Sequence, residues 1–239
     1  MHEETMNQVL NNVQKINQTN SELSQFKSLL PTLLEKGIDQ IDLSMFDDIT
    51  KTQLLNVLGG EYLRRGRLHE AVKSFVLAGN QQKLTVIGQD YERIGQVENA
   101  IECYELAQES NRLNLLGRKC LIDGRFRDAI KCFTSLNDHE MLSKTGDECL
   151  IRGKWEYAIE VYKTLGDSEK LTQLGDLCLG ERKLAEAFQA FELANNTNKL
   201  NELGNVCLKE GLFSIALKAY TASDNKAMLK FIQENFRKK

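Results

Sequence analysis

Residues 52–80 read TQLLNVLGGEYLRRGRLHEAVKSFVLAGN, and this stretch decides the fold because the chain rewrites it five more times. The units cover 52–80, 81–109, 110–138, 139–167, 168–196 and 197–225, with no insertion between them. Glycine falls at 59, 88, 117, 146, 175 and 204, and alanine at 71, 100, 129, 158, 187 and 216. An aromatic follows each alanine by four: Phe75, Tyr104, Phe133, Tyr162, Phe191 and Tyr220. Leucine recurs at 55, 84, 113, 142, 171 and 200, then once more at 229. Four residue classes holding one register define a repeat array, whose units must stack to bury their apolar faces.

Each unit reads as two helices. In the first, Leu54, Leu55, Leu58, Tyr62 and Leu63 follow helical spacing, Gly66-Arg67 interrupts, and Leu68, Ala71, Val72, Phe75 and Val76 resume it. Gly66, Gly95, Gly124, Gly153 and Gly211 stand where the first helix ends and a left-handed residue is wanted. Arg182 takes that slot in the fifth unit, so a looser or differently built turn is expected there. The glycines at 59 to 204 lie inside helices, where each costs about 1 kcal/mol against alanine. Close helix approach is the expected compensation, with the alanine twelve residues on facing the same crossing.

The pattern Leu-x2-Leu-Gly-x2-(Tyr or Cys)-x3-Gly-x4-Ala-x3-(Phe or Tyr), carried by Leu55, Leu58, Gly59, Tyr62, Gly66, Ala71 and Phe75, resembles the tetratricopeptide repeat (TPR). The resemblance implies an all-α, right-handed α-solenoid of six helix-turn-helix units with helical caps at both ends. The period departs from the family's: it is 29 here, about five residues short, and the closing proline is missing. The second helix must therefore be about a turn shorter, ending in Gly79-Asn80, Asn137-Asp138, Gly166-Asp167 and Asn195-Asn196. Short units of this kind are similar to the solenoids of coatomer and intraflagellar-transport subunits.

Composition excludes several classes. A formal net charge of −3 gives no electrostatic footprint for nucleic acid. No apolar run reaches the roughly 18 residues of a membrane span, so no membrane insertion is expected. Four of the six cysteines, Cys120, Cys149, Cys178 and Cys207, fill one slot in consecutive units, and Cys103 and Cys132 share another. Equivalent positions in stacked helix pairs lie on the order of 10 Å apart, too far for a disulfide. Buried reduced thiols, no metal and a cytoplasmic location follow. Trp155 occupies an apolar slot and is expected in the core.

Residues 1–51 precede the array. A heptad runs through Met6, Val13, Asn20, Lys27 and Leu34, and through Val9, Ile16, Leu23 and Leu30, while Thr19 to Glu22 fit a capping box. One reading is a self-associating helix and a homodimer. The other, preferred, is a cap packed on the first repeat and a monomer. Pro31 is expected to mark a kink, and Gly37 to Asp48 a linker whose Ile38, Ile41, Leu43, Met45 and Phe46 wrap the open end. Asp47 and Asp48 stand where the first array helix is capped. At the far end, 226–239 repeats only a first helix: Leu229, Ile232 and Phe236 keep their slots, but Gln233 replaces the glycine. That is a C-terminal cap.

In TPR proteins the first helices line a concave face that binds ligands. Carried over by register, one groove slot holds Asn56, Thr85, Asn114, Ser143, Thr172 and Asn201, and the next Gly60, Gln89, Arg118, Asp147, Asp176 and Asn205. Small amides and hydroxyls in a ladder can pair with the backbone of an extended peptide. The expected peptide contacts are Asn56, Gln89, Asn114, Arg118, Ser143, Asp147, Thr172, Asp176, Asn201 and Asn205. Ile122, Ile151 and Gly180 lie between Arg64 and Arg93 at one end and Lys209 at the other, without the repeated lysines by which chaperone-binding members hold a terminal carboxylate. His69 and His139 have no third partner for catalysis, and no phosphate loop occurs. The sequence thus implies a non-enzymatic scaffold or adaptor without cofactor, binding another protein or peptide. A structural subunit of a trafficking coat is the alternative.

Overall fold

A computed structural model describes Phe26 and residues 28–236. The heptad positions from Met6 to Leu23, Lys27, the Thr19–Glu22 capping box and the tail after Phe236 lie outside the described residues. Among the described residues there are fourteen α-helices, one 3₁₀ turn at Ile38–Gln40 and no strand. The first helix, α1 (Leu30–Lys36), precedes the array. The six units then follow as pairs: α2 (Asp48–Arg64) with α3 (Leu68–Leu77), α4 (Gln81–Arg93) with α5 (Val97–Leu106), and α6 (Ser110–Ile122) with α7 (Phe126–Ser135). The next three are α8 (His139–Ile151) with α9 (Trp155–Leu165), α10 (Ser168–Gly180) with α11 (Leu184–Leu193), and α12 (Thr197–Lys209) with α13 (Phe213–Ala222). A lone α14 (Lys226–Phe236) closes the series.

The chain divides into two compact units, residues 1–113 and 114–239. In the first, α2 packs on α3, α3 on α4 and α4 on α5. In the second, each helix from α7 to α13 packs on its successor, and the second helices α7, α9, α11 and α13 also touch in series. The architecture is an all-α solenoid of consecutive helix pairs.

The inner glycines are explained by an aromatic ring rather than by the expected alanine. A Cβ added at Gly59 would stand 2.7 Å from the ring of Phe75, and at Gly88 2.6 Å from Tyr104. At Gly117, Gly146, Gly175 and Gly204 the rings are those of Phe133, Tyr162, Phe191 and Tyr220, sixteen residues on in every case. Phe75, Tyr104, Phe133, Phe191 and Tyr220 are fully buried, and the alanines from Ala71 to Ala216 beside them on the second helix are equally enclosed. Each ring packs close against bare helix backbone, so the helix-propensity loss at glycine is recovered in close packing. In the fourth unit Thr145 replaces an apolar side chain and is fully buried, but its hydroxyl donates to Met141 O at 2.7 Å and is not orphaned.

All twelve array helices end in the same turn. Arg67 N donates to Tyr62 O at 2.9 Å and Gly66 N to Leu63 O at 3.0 Å, the paired bonds of a Schellman motif. The turn of Arg182 is not looser. Arg182 takes φ 59°, and Lys183 N still reaches Cys178 O at 2.7 Å. The repeat's packing over-determines the turn and imposes a left-handed backbone on a residue that resists it.

The N-terminal residues that are described pack on the first repeat. Phe26, Leu30, Leu34 and Ile38 are buried, and α1 contacts α2 while the 3₁₀ turn contacts α3. Arg67 donates to Leu34 O at 3.1 Å and lies over the Tyr62 ring, and Lys73 pairs with Asp39 at 2.8 Å. Pro31 does not kink a longer helix. It occupies the first turn of α1, where its missing N–H leaves no bond unmade. Asp47 caps α2, accepting from Thr50 N at 2.9 Å. Trp155 is half-buried rather than enclosed. At the other end α14 packs on α13 with Ile232 buried and Phe236 against Phe213, ring centroids 4.7 Å apart.

The adjacent glycines 59 and 60 give a paired test. Gly59→Ala drives a methyl into Phe75 and is expected to destabilise by about 1–2 kcal/mol net. Gly60→Ala, with nothing within 4 Å, should stabilise by up to about 1 kcal/mol. Urea unfolding of the two variants beside the wild type measures both signs. The same assay reads the first-helix turns: Gly153→Ala should lose about 1–2 kcal/mol at its φ of 65°, whereas Arg182→Gly should be neutral or gain as much as about 1 kcal/mol.

All six cysteines are buried, and none is in a disulfide. Burial pushes Cys103 and Cys149 up to about 12, and Cys120 and Cys178 up to about 11. At pH 8 the folded protein should therefore react with a bulky disulfide reagent about a hundredfold or more slower than the urea-unfolded chain, which should release six thiols.

Candidate binding face

The slots that register assigns to a groove sit where each first helix meets the start of the next. The first of them is an internal ladder. Asn80, which caps α4 by accepting from Lys83 N at 3.1 Å, also donates to Asn56 Oδ1, and the Asn56 amide nitrogen donates to Thr52 O at 2.9 Å. In the same unit of the chain Thr85 donates to Glu109 at 3.2 Å. Residues 114–239 repeat the device by themselves. Asn196 caps α12 and donates to Thr172 at 3.4 Å, while Asn225 caps α14 and donates to Asn201 at 2.6 Å. Ser143 instead accepts from Lys170 at 2.9 Å, and Asn114 from Arg118 Nε at 2.7 Å. The amides of Asn56 and Asn201 thus have both ends engaged inside the protein.

The second slot is more open, and its chemistry tracks the aromatic of the paired helix. Where that aromatic is tyrosine, the slot accepts its hydroxyl: Tyr162 donates to Asp147 and Tyr220 to Asn205, each at 2.7 Å. Tyr104 bonds Glu92 instead, at 3.1 Å, leaving Gln89 half-exposed beside it. Where the aromatic is Phe191, Asp176 takes Lys199 at 2.9 Å, as Asp147 takes Lys170 at 2.8 Å. Burial pushes the Asp147 carboxyl up, but the hydrogen bonds from Lys170 and Tyr162 prevail and hold it below the usual carboxylate range. The hydrogen bonds that Lys199 donates to the Asp176 and Glu202 carboxylates raise its pKa. Burial and Asp147 push Tyr162 up, so its hydroxyl stays a donor.

Two residues of this face stand out into solvent. Ile122 is 77% exposed and Ile151 79% exposed, in the same slot of consecutive repeats. Each follows by one helical turn a charged member of the second slot, Arg118 before Ile122 and Asp147 before Ile151, both exposed. Sequence register found these positions but did not find the partners Lys170 and Lys199, or the second bond made by Asn80, Asn196 and Asn225. Those asparagines recur in the 29-residue register and were legible only as turn residues.

Among the described residues no group of three or more His, Cys, Asp or Glu side chains is placed to hold a metal, and no helix is long and apolar enough to cross a membrane. Comparison with curated proteins finds no match. Residues 84–112 match the family model of the tetratricopeptide repeat. That span is one repeat length, shifted by three residues from the unit 81–109, and its glycine–aromatic contact between Gly88 and Tyr104 is the one made in the other five units. The chain is an array of consecutive helix pairs, and one repeat length of it matches the tetratricopeptide repeat.

Proposed function

We propose that the protein is a non-enzymatic scaffold or adaptor that binds an extended segment of another protein along the first-helix face of residues 114–239. Tetratricopeptide repeats are in general protein-interaction modules. The observation that supports this face is the pair Ile122 and Ile151, two large apolar side chains held nearly four-fifths exposed on rigid helices in one repeat register. A single exposed isoleucine is ordinary, whereas two in register beside alternating charge offer apolar anchors with polar flanks.

In this reading Arg118, Asp147, Asp176 and Asn205 supply the polar contacts with the atoms their internal partners leave free. Asn114, Ser143, Thr172 and Asn201 position them through the ladder. Asn56 and Gln89 are the corresponding contacts of residues 1–113. Buried cysteines outside any disulfide fit a reducing compartment, the cytoplasm.

Proteins retained from a native lysate by the immobilised chain should be compared with those retained by an Ile122→Asp/Ile151→Asp double variant. A specific partner should fall at least about tenfold while the variant's stability stays within about 0.5 kcal/mol of wild type. Identical retention by both proteins overturns the assignment of this face.

A further inference from the structure

In residues 1–113 a groove of about 490 Å³ separates α3 from α5, the second helices of the first two repeats. A residue of the first-helix layer lies beneath it. The slot that holds Cys149, Cys178 and Cys207 in later units holds Tyr91 on α4, which packs on both α3 and α5. Over those cysteines α7, α9, α11 and α13 touch in series, whereas α3 and α5 make no comparable packing. A phenol ring where later units carry a thiol keeps the two helices apart. Tyr91 and Cys103 form the floor, and Val72, Val76, Leu77 and Leu106 the walls, the last three exposed. The volume is that of an ordinary ligand site.

The floor carries a hydroxyl that the protein does not use. Tyr91 is only 7% exposed, and among the described residues its hydroxyl has no hydrogen-bond partner, unlike those of Tyr104, Tyr162 and Tyr220. Tyr62, its counterpart one repeat earlier, also lacks a partner, but that hydroxyl is sealed from solvent. The Tyr91 hydroxyl is not sealed, and the groove is the space it opens on. Burial raises it above the ordinary tyrosine value, so it stands there as a donor. An unmet donor in an apolar site favours whatever can accept from it. At the rim the Asp39 and Glu102 carboxylates outnumber the Lys73 ammonium, which Asp39 already takes at 2.8 Å, so an anion gains nothing there. His69 and Asn99 complete the rim. A polypeptide laid along the exposed walls would stay at their level, whereas a compact molecule can reach the hydroxyl below them.

We propose that the groove between α3 and α5 binds a small neutral molecule with an apolar body and a carbonyl or ether oxygen, which accepts a hydrogen bond from Tyr91. The apolar body lies between Val76, Leu77 and Leu106, in the space that direct contact between second helices fills further along the array. The site is on other helices than Ile122 and Ile151, and stands or falls independently of the proposed function.

The test titrates the full chain with prodan, a neutral naphthyl ketone whose emission moves to the blue when it leaves water. Saturable blue-shifted emission, with a single molecule bound per chain, is the expected result. Leu77→Asp puts a charge in the wall and should weaken binding at least about tenfold. Tyr91→Phe keeps the ring and removes only the hydroxyl, and should weaken it about three- to tenfold. The helical circular dichroism of both variants should match wild type. A naphthalene sulfonate of similar size should bind at least about tenfold more weakly than prodan. Absence of saturable binding overturns the proposal, as does binding that Leu77→Asp or Tyr91→Phe leaves unchanged, or a preference for the sulfonate. Affinity that falls as the chain concentration rises assigns the groove to a second copy and overturns it equally.

Discussion

The contact on which the structure depends is an aromatic ring laid against the bare backbone of a helix. Phe75 over Gly59 is the first case, and the same pair recurs in every unit. A side chain as small as a methyl at the glycine would overlap the ring, so the glycine sets how near the two helices come. The ring in turn fills the volume between them, and because the pair is repeated, each helix hairpin has one width. Stacking then needs no adjustment between neighbours, which is how six units hold a single register without an insertion.

Equal hairpins still have to be joined, and the joints are polar. The residue that caps a first helix is also the residue that touches the preceding first helix, as Asn80 touches Asn56 and Asn225 touches Asn201. One side chain thereby satisfies an orphan backbone N–H and fixes the neighbouring repeat. Asp147 with Lys170 and Asp176 with Lys199 add an ion pair at the same joint where both partners are present. Their half-exposed setting makes each worth about 1 kcal/mol or less, so they select register more than they add stability. The tyrosine hydroxyls of Tyr162 and Tyr220 tie the ladder to the core of the same hairpin.

Function is left to what these joints do not consume. Side chains that face solvent on the first helices, above all Ile122 and Ile151, have no structural partner that explains them. The concavity between α3 and α5 is the other such place, where the series of touching second helices is interrupted. Both are departures from the repeat, and a departure from an otherwise uniform array is where an individual requirement becomes visible.

The sequence by itself determined the fold class and the burial of the cysteines, because each rests on residue type at a fixed period. It also nominates a candidate face, since register alone carries a slot from unit to unit. What only the tertiary structure decided is which partner each slot meets. Gly59 was legible as a close approach, but that the approaching group is Phe75 rather than Ala71 depends on the angle at which the helices cross. Arg182 read as a loose turn because local preference disfavours it, and the packing around it overrode that preference. Asn56 and Asn201 read as open hydrogen-bonding groups, yet their partners lie 24 residues away and are brought within reach only when one repeat is stacked on the next.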